Sequence, residues 1–311
     1  DRLEYVKALE EAGFYSYHVA EHHATPLNLV PVPGVYLGAV ANATSTMRLG
    51  PLCYLLPLYS PLRLIEEISI LDHLSHGRLD VGVGRGVSPF ELNFHKVDPK
   101  SSVEIFLEAL DAVKNGLTHE VLDHDGKHYQ YKDVPMELRP LQDPHPPIWY
   151  PSSNPEVAPI IGESGYNFVT LGAMEPARKA IEGYKEGYAK RNGPSGPALD
   201  FPGGTAIGIS RHVVVGETME DAMRIARPAY QRWHQSLVKL WVDNKVEGPA
   251  FARGTVADVQ TAIDAGTDIV GDPAHVTAEI ERQVAELGVN YMVCQFYFGD
   301  MAHEDAMRSV E

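Results

Sequence analysis

The sequence predicts an α/β protein of the (β/α)₈ barrel type, the TIM barrel, with its first strand expected before Asp1. Helical and strand patterns alternate along the chain, which is typical of βα units around a parallel sheet. Seven strand patterns are of the buried type, and each ends in Gly, Pro or polar residues. The chain opens with a helix that runs straight into a strand. An eighth strand before that helix would complete the barrel.

The predicted elements follow in order. A helix over residues 1 to 12 stops at Gly13. The predicted strands are apolar runs rich in aromatic and β-branched residues: YSYHVAE, LGPLCYLLP, RLDVGVGRG, PPIWYPSS, YNFVTLG, AIGISRHVVVG and YMVCQFYFG. The predicted helices have helical periodicity: 34–43, 61–74, 102–116, 154–164, 176–189, 219–243 and 272–287. A hairpin is expected to turn at Asp125-Gly126, and 86–100 and 244–271 are predicted as loops.

A doubly wound open sheet is the structural rival, since seven strands would also suit it. That fold places GxGxxG after the first strand, and here VGVGRG comes later with a different glycine spacing. The stretch 191–206 is the nearest to a linker, but it stands between barrel-like units. We therefore expect residues 1–311 to form a single barrel domain.

Composition limits the class of protein. With 26 basic and 42 acidic side chains the formal charge is -16, and no run of five Lys or Arg occurs, which opposes binding to nucleic acid or an anionic membrane. The only cysteines, Cys53 and Cys294, have no CxxC spacing, so a reducing compartment is expected. The chain shows no signal peptide pattern. We expect a cytoplasmic protein.

Polar or turn-rich segments follow five of the predicted strands, where the βα loops of a barrel carry its chemistry. They are AEHH, LLPLYSP, GRG, PSSNPE and FGDM. Because the carboxyl ends of parallel strands meet on one face, these segments predict a ligand site there.

Arg85 lies between two glycines in GVGRGVSP, and Ser152, Ser153 and Asn154 precede a predicted helix. Arg offers a planar fork of donors, and a helix N-terminus favours an anion, so the two segments suggest a phosphate site. The alternative is an N-cap at Ser153 or Asn154 and a structural carboxylate beside Arg85. From spacing alone the two interpretations stand about even.

The pair His22 and His23 follows Glu21. Adjacent residues of a strand point to opposite faces, which disfavours joint binding of one metal ion, and HExxH is absent. We expect no metal. One histidine could instead face the pocket as a base or hydrogen-bond donor. GxSxG and GxxxxGK[ST] are also absent, so nothing favours a hydrolase elbow or a P-loop.

These segments resemble the bacterial luciferase-like flavin-dependent monooxygenases. The resemblance covers most of the chain and is most specific in its central block. It runs through GFYSYHVAEHH, RLGPLCYLLPLYSPLRLIEEISILDHLSHGRLDVGVGRG and PPIWYPSSNPEVAPIIGESGY, and more weakly through GDPAHVTAEIERQ and FYFGDMAHEDAMRS.

The resemblance implies a two-component monooxygenase acting on a small organic substrate, with reduced FMN supplied by a flavin reductase and molecular oxygen activated at the flavin. It implies that Arg85 and the loop of Ser152, Ser153 and Asn154 bind the FMN phosphate. It also implies a non-prolyl cis peptide at Leu52-Cys53 against the flavin, although the family often has smaller residues there. His22 matches the histidine beside the flavin. A homo-oligomer is expected as well.

Two other functions stay open from the sequence: an oxidoreductase of the same fold that uses a deazaflavin, and a flavin-binding homologue without catalytic activity. Cys53 could be only a small buried residue. The aromatic residues Trp149, Tyr150, Phe296, Tyr297 and Phe298 are more typical of packing than of substrate contact. The sequence does not identify the substrate.

Overall fold

A computed structural model describes residues 2–191, 201–248 and 257–311. The helices of these residues are α1 Arg2–Glu11, α2 Pro33–Ala43, α3 Pro61–Leu74, α4 Pro89–Phe94, α5 Ser102–Thr118, α6 Ala158–Glu163, α7 Met174–Lys190, α8 Met219–Asp243, α9 Val259–Asp264, α10 Pro273–Leu287 and α11 His303–Arg308. The strands are β1 Ser16–Val19, β2 Arg48–Pro51, β3 Tyr54–Leu55, β4 Val81–Gly84, β5 Val121–Asp125, β6 Gln130–Pro135, β7 Ile148–Pro151, β8 Asn167–Thr170, β9 Ile207–Val215, β10 Asp268–Gly271 and β11 Tyr291–Gln295.

The main sheet has the strand order β10-β9-β8-β7-β4-β3, and β11 also pairs with β9. All of these pairs are parallel, as is the separate pair of β1 with β2. A parallel bridge between Leu49 and Leu79 links β2 to the segment before β4. Only β5 and β6 form an antiparallel hairpin among the described strands. Strands β4, β8 and β10 are buried throughout, as expected for a parallel sheet covered by helices.

The sheet curves into the wall of a barrel. Side chains from β7, β8 and β11 and from segments next to other strands meet in one cluster, formed by Leu52, Trp149, Val169, Phe201, Ala206, Tyr291 and Val293. The two ends of the strand series also approach each other. The His18 Nε2 atom lies 2.9 Å from the Tyr291 hydroxyl, and the rings of Phe14 and Phe296 lie 5.6 Å apart.

Helix α8 lies across the carboxyl ends of the strands. It begins where the Thr218 hydroxyl accepts a hydrogen bond from the Asp221 N–H, an N-cap. Farther along it, the Ser236 carbonyl accepts a hydrogen bond from Thr25, and Trp241 packs edge-on against Phe90. The helix therefore packs against the loops that follow β1 and β4. No helix among the described residues is both long and apolar enough to cross a membrane.

Most predicted elements are present, with four corrections. The predicted strand LGPLCYLLP is divided into β2 and β3. Helix α6 begins at Ala158, four residues after its predicted start. Helix α4 lies in the predicted loop 86–100, and α9 and β10 lie in the predicted loop 244–271. Helices α4 and α9 have six residues each and β10 has four, which is too short for a hydrophobic period to be recognised. Part of the predicted loop 244–271, residues 249–256, lies outside the described residues, as do residues 192–200 of the linker-like stretch 191–206.

Candidate active site

The end of β1 brings His22 to the mouth of the barrel. Strand side chains alternate, and His18 faces the interior, where its ring lies 5.3 Å from Trp149. Ala20, two residues further on, is exposed although Val19 and Glu21 on either side of it are buried. Strand β1 ends at Val19. The orientation of the side chains that follow is therefore set by the residues that they contact and not by strand alternation.

His22 is paired with Glu91 of α4. The His22 Nδ1 atom lies 3.2 Å from Glu91 Oε1, and the backbone N–H of His23 donates to the same oxygen at 3.4 Å. The Glu91 side chain is buried, whereas that of His22 is 23% exposed. Since a carboxylate only accepts hydrogen bonds, it holds the proton of neutral His22 on Nδ1 and leaves Nε2 as the ring atom available to a ligand.

The sequence did not single out Glu91. Its local signal is the capping pattern SPFE, in which the Ser88 hydroxyl accepts a hydrogen bond from the Glu91 N–H at 3.3 Å. That pattern locates the start of a short helix and carries no information about which side chain the carboxylate meets. The second oxygen, Glu91 Oε2, is buried and has no hydrogen-bond partner among the described residues.

His23 is paired with a different carboxylate, that of Glu21. The His23 Nε2 atom lies 2.7 Å from Glu21 Oε1, and the other oxygen of Glu21 accepts the backbone N–H of Leu55 at 2.9 Å. Burial, followed by the charge of Glu21 and a hydrogen bond to it, raises the pKa of Tyr59. Glu21 is itself 3% exposed. The buried Glu21 therefore connects the His23 ring to the backbone of β3.

The peptide bond between Leu52 and Cys53 is cis, as the family resemblance implied. The Leu52 N–H donates to the Val19 carbonyl of β1 at 2.7 Å, which fixes this bend beside the end of β1. Cys53 fills the space that a side chain on Gly84 would need: a Cβ there would lie 2.3 Å from its Sγ. Burial, and then the charge of Glu21, raises the pKa of the Cys53 thiol. This thiol is therefore not disposed to act as a nucleophile.

Arg85 stands at the mouth with its charge unpaired. Its Nη1 donates to the Ser102 hydroxyl at 3.2 Å, and no carboxylate of the described residues lies within 4 Å of its guanidinium. The alternative of a structural carboxylate beside Arg85 is therefore wrong within those residues. The side chain is exposed, and Gly86 after it has a φ of 84°, a turn that glycine adopts readily.

The loop after β7 is adjacent to Arg85. Strands β4 and β7 pair at Val81 with Ile148 and at Gly82 with Trp149, and the same register continued brings Arg85 level with Ser152. Electrostatics agree with this placement. Burial raises the pKa of Tyr150 to about 12, while the charge of Arg85 opposes the rise.

Hydroxyl and amide groups of this loop order its backbone. The Ser152 hydroxyl accepts the N–H of Asn154, and Asn154 Oδ1 accepts the N–H of Glu156. The Ser153 hydroxyl accepts the N–H of Leu171 after β8. Neither Ser153 nor Asn154 caps α6, whose N-cap is Val157, so the predicted helix N-terminus at this loop is wrong. Within the described residues, no three His, Cys, Asp or Glu side chains are grouped to hold a metal ion.

Sequence comparison identifies the family. The profile of the luciferase-like monooxygenase family matches residues 1–291, and the chain belongs to that family. The uncharacterized protein y4wF of Sinorhizobium fredii is 36% identical over 301 residues, 97% of this chain and 85% of that protein. The oxygenase component of the flavin-dependent trigonelline monooxygenase of Acinetobacter baylyi is 30% identical over 169 residues, 54% of this chain and 47% of that protein.

Solved structures share the fold. The monooxygenase RslO1 of Streptomyces bottropensis matches with a TM-score of 0.86 at 24% identity, over 99% of this chain and 89% of that chain. The oxygenating constituent of 3,6-diketocamphane monooxygenase of Pseudomonas putida, solved with FMN, gives 0.74 at 19%, over 99% and 91%. The coenzyme F420 dependent tetrahydromethanopterin reductase of Methanopyrus kandleri gives 0.70 at 18%, over 99% and 92%. The luciferase-like barrel predicted from the sequence is thus confirmed.

Proposed function

We propose that this chain, as a single barrel domain, is the oxygenase component of a two-component monooxygenase that uses reduced FMN and molecular oxygen on a small organic substrate. The observation that carries the proposal is the unpaired Arg85 guanidinium, placed level with the Ser152 loop at the mouth where His22 also lies. The similarity to the oxygenase component of a flavin-dependent monooxygenase supports it. A separate reductase would supply the reduced flavin, and the oxygenase would assemble as a homo-oligomer.

The residues at the mouth fit FMN. An exposed guanidinium without a carboxylate offers a charge and several donors to a phosphate, and the hydroxyls of Ser152 and Ser153 lie in the neighbouring loop. Leu52, Cys53 and Asn154 complete the set that would hold the flavin. When bound, reduced flavin supplies the electrons that activate oxygen.

His22 would move a proton at this mouth. Glu91 fixes its ring through Nδ1, so Nε2 keeps one orientation and can accept or return a proton without first being positioned. The buried carboxylate also stabilises the charged ring that forms when Nε2 takes a proton. His23 is paired in the opposite sense, through Nε2 with the buried Glu21, so its Nδ1 would be the remaining ring atom.

Anaerobic incubation with reduced FMN, and separately with reduced deazaflavin, followed by rapid mixing with oxygen, tests the proposal. We expect the protein to bind reduced FMN and to change the time course of its oxidation relative to free flavin, while the deazaflavin is unaffected by oxygen. Binding of FMN with an unchanged time course would favour a homologue without catalytic activity. Exclusive binding of the deazaflavin would favour hydride transfer without oxygen, in line with the shared fold of the F420 dependent reductase.

A further inference from the structure

A hydrogen bond ties Arg85 to the first turn of α5. It runs from Arg85 Nη1 to the hydroxyl of Ser102 at 3.2 Å, and Ser102 is fully buried. The Ser102 hydroxyl itself donates to the Pro99 carbonyl at 2.7 Å. Because its single hydrogen is committed to Pro99, the lone pairs of the Ser102 oxygen are left to accept from Arg85. The direction of both hydrogen bonds is therefore fixed.

The electrostatics at the start of α5 do not explain this contact by themselves. The N-terminal end of an α-helix carries a partial positive charge, which is unfavourable for a guanidinium. Helix α5 has 17 residues, and Ser102 is its first. No carboxylate of the described residues lies within 4 Å of Arg85 to compensate. The contact therefore brings a cation to the positive end of a helix, an arrangement that gains stability once an anion binds at Arg85.

Helix α5 is fixed against the strand that leads to the phosphate loop. The ring of Phe106, one turn after Ser102, packs edge-on against Tyr150 of β7 with 5.5 Å between the ring centroids. Phe106 is buried in the hydrophobic core. A side chain on a rigid element holds a site more precisely than one on a loop. Ser102 thus ties the Arg85 guanidinium to a helix whose position relative to β7 is set by packing.

The hydrogen bond to Ser102 leaves most of the guanidinium free. A guanidinium has five N–H groups, and among the described residues Ser102 is the only hydrogen-bond partner of Arg85. The edge formed by Nε and Nη2 remains for two parallel hydrogen bonds, the arrangement in which Arg binds phosphate. An arginine side chain loses rotamer freedom when a ligand orders it. A hydrogen bond made before the ligand arrives removes part of that cost.

We propose that Ser102 is the positioning residue for Arg85, and that it thereby sets the preference of this protein for a flavin that carries a phosphate. Ser102 is buried and acts through the guanidinium, so it does not itself touch the ligand. The inference rests on the proposed function in taking FMN as the ligand at Arg85. The affinity for the phosphate then depends on a side chain that lies behind the binding surface.

Anaerobic titration with reduced FMN and with reduced riboflavin measures the phosphate preference, as the dissociation constant of riboflavin divided by that of FMN. In Ser102→Ala the Arg85 side chain remains but is no longer held, so we expect this ratio to fall about three- to tenfold, as the loss of one hydrogen bond would give. The affinity for riboflavin should stay parental. Ser101→Ala is the matched control: the Ser101 side chain makes no capping hydrogen bond, so the parental ratio should be kept.

A double variant separates positioning from a structural role. Once Arg85 has been replaced, Ser102→Ala has no guanidinium to release. The double variant of Arg85→Ala and Ser102→Ala should therefore have the same ratio as Arg85→Ala alone. A residue that only stabilised the start of α5 would change the affinity for both flavins in either background.

An unchanged ratio in Ser102→Ala, an equal loss for both flavins, or a further fall of the ratio in the double variant would overturn the role of Ser102. Should Ser102→Ala fail to fold, Ser102→Cys decides, because a thiol is close in size to a hydroxyl but accepts hydrogen bonds weakly. Its ratio must fall as well. A parent that binds both flavins equally would refute the phosphate site of the proposed function, and the role of Ser102 with it. A parent that prefers FMN, beside a variant with an unchanged ratio, would reject Ser102 alone.

Discussion

Glu91 Oε1 lies 3.2 Å from His22 Nδ1, and this contact joins the ends of two barrel strands into one site. His22 follows β1, and Glu91 lies on the short helix after β4, 69 residues further along the chain. The neighbouring His23 is bound just as closely, but by Glu21 and through its other ring nitrogen. The two adjacent histidines therefore differ in the carboxylate that binds them and in the ring nitrogen that is bound.

The first prediction concerns His22. If its Nε2 moves a proton at the mouth, His22→Ala should lower turnover by about 10² to 10⁴ while the affinity for reduced FMN stays nearly parental. Single-turnover oxidation of a substrate by pre-bound reduced FMN measures this. His23→Ala is the matched control, and we expect a much smaller loss of turnover from it because the His23 ring is turned toward the buried Glu21, which binds the segment at β3. Parental turnover in His22→Ala would contradict the proton-transfer role.

Glu91 provides a second prediction for the same site. In Glu91→Gln the amide oxygen can still accept the Nδ1 proton, but the charge that favours the protonated ring is lost. We therefore expect a smaller drop in turnover than in His22→Ala. In the double variant, Glu91→Gln should add little to His22→Ala, because the two residues act as one unit. Turnover measured across this cycle checks the coupling, and additive losses would show that Glu91 acts elsewhere.

The third prediction concerns the phosphate. Arg85→Ala should weaken the binding of reduced FMN by about 1.5 to 3 kcal/mol, the range for a hydrogen bond to a charged group. Riboflavin has no phosphate, so its affinity should change little. Arg63→Ala, which removes an exposed Arg on α3, serves as the control. Anaerobic titration of each variant with both flavins gives the comparison, and an equal loss for riboflavin would place Arg85 away from the phosphate.

Sequence patterns predicted those features of the fold that are set by residues close together in the chain. The long helices have enough turns to show their period, and α3 and α8 have the predicted bounds 61–74 and 219–243. The position of His22 followed from the end of a strand. The partner of His22 did not, because a contact across 69 residues leaves no local pattern. The same holds for the contact between Arg85 and Ser102, which are 17 residues apart.

Gly84 and Cys53 give the fourth prediction. A methyl group on residue 84 would meet Cys53 Sγ at 2.3 Å, so Gly84→Ala should destabilise the protein by about 1 to 3 kcal/mol through overpacking. The Cys53 Cβ lies 3.5 Å from the same position, an ordinary contact. Adding Cys53→Ala should therefore recover most of the loss. Urea unfolding of the parent, both single variants and the double variant measures this coupling, and strictly additive losses would rule out the clash.

The last prediction is a pH dependence of stability at Glu10. Its carboxylate accepts the backbone N–H groups of Ser45, Thr46 and Met47. Burial raises the pKa of Glu10, but these hydrogen bonds outweigh it and lower the pKa from 4.5 to about 2. A lowered folded-state pKa means that the carboxylate stabilises the fold above pH 4.5 and loses this effect as the pH falls toward 2.

Because Glu10 is partly exposed to solvent, we expect Glu10→Gln to cost only about 1 to 2 kcal/mol at pH 7 and almost nothing near pH 2. Unfolding measured from pH 7 downward should therefore show the parent and Glu10→Gln converging, while Glu11→Gln, at the exposed next residue, stays close to the parent throughout. A constant gap between parent and Glu10→Gln would mean that the charge of Glu10 does not stabilise the turn before β2.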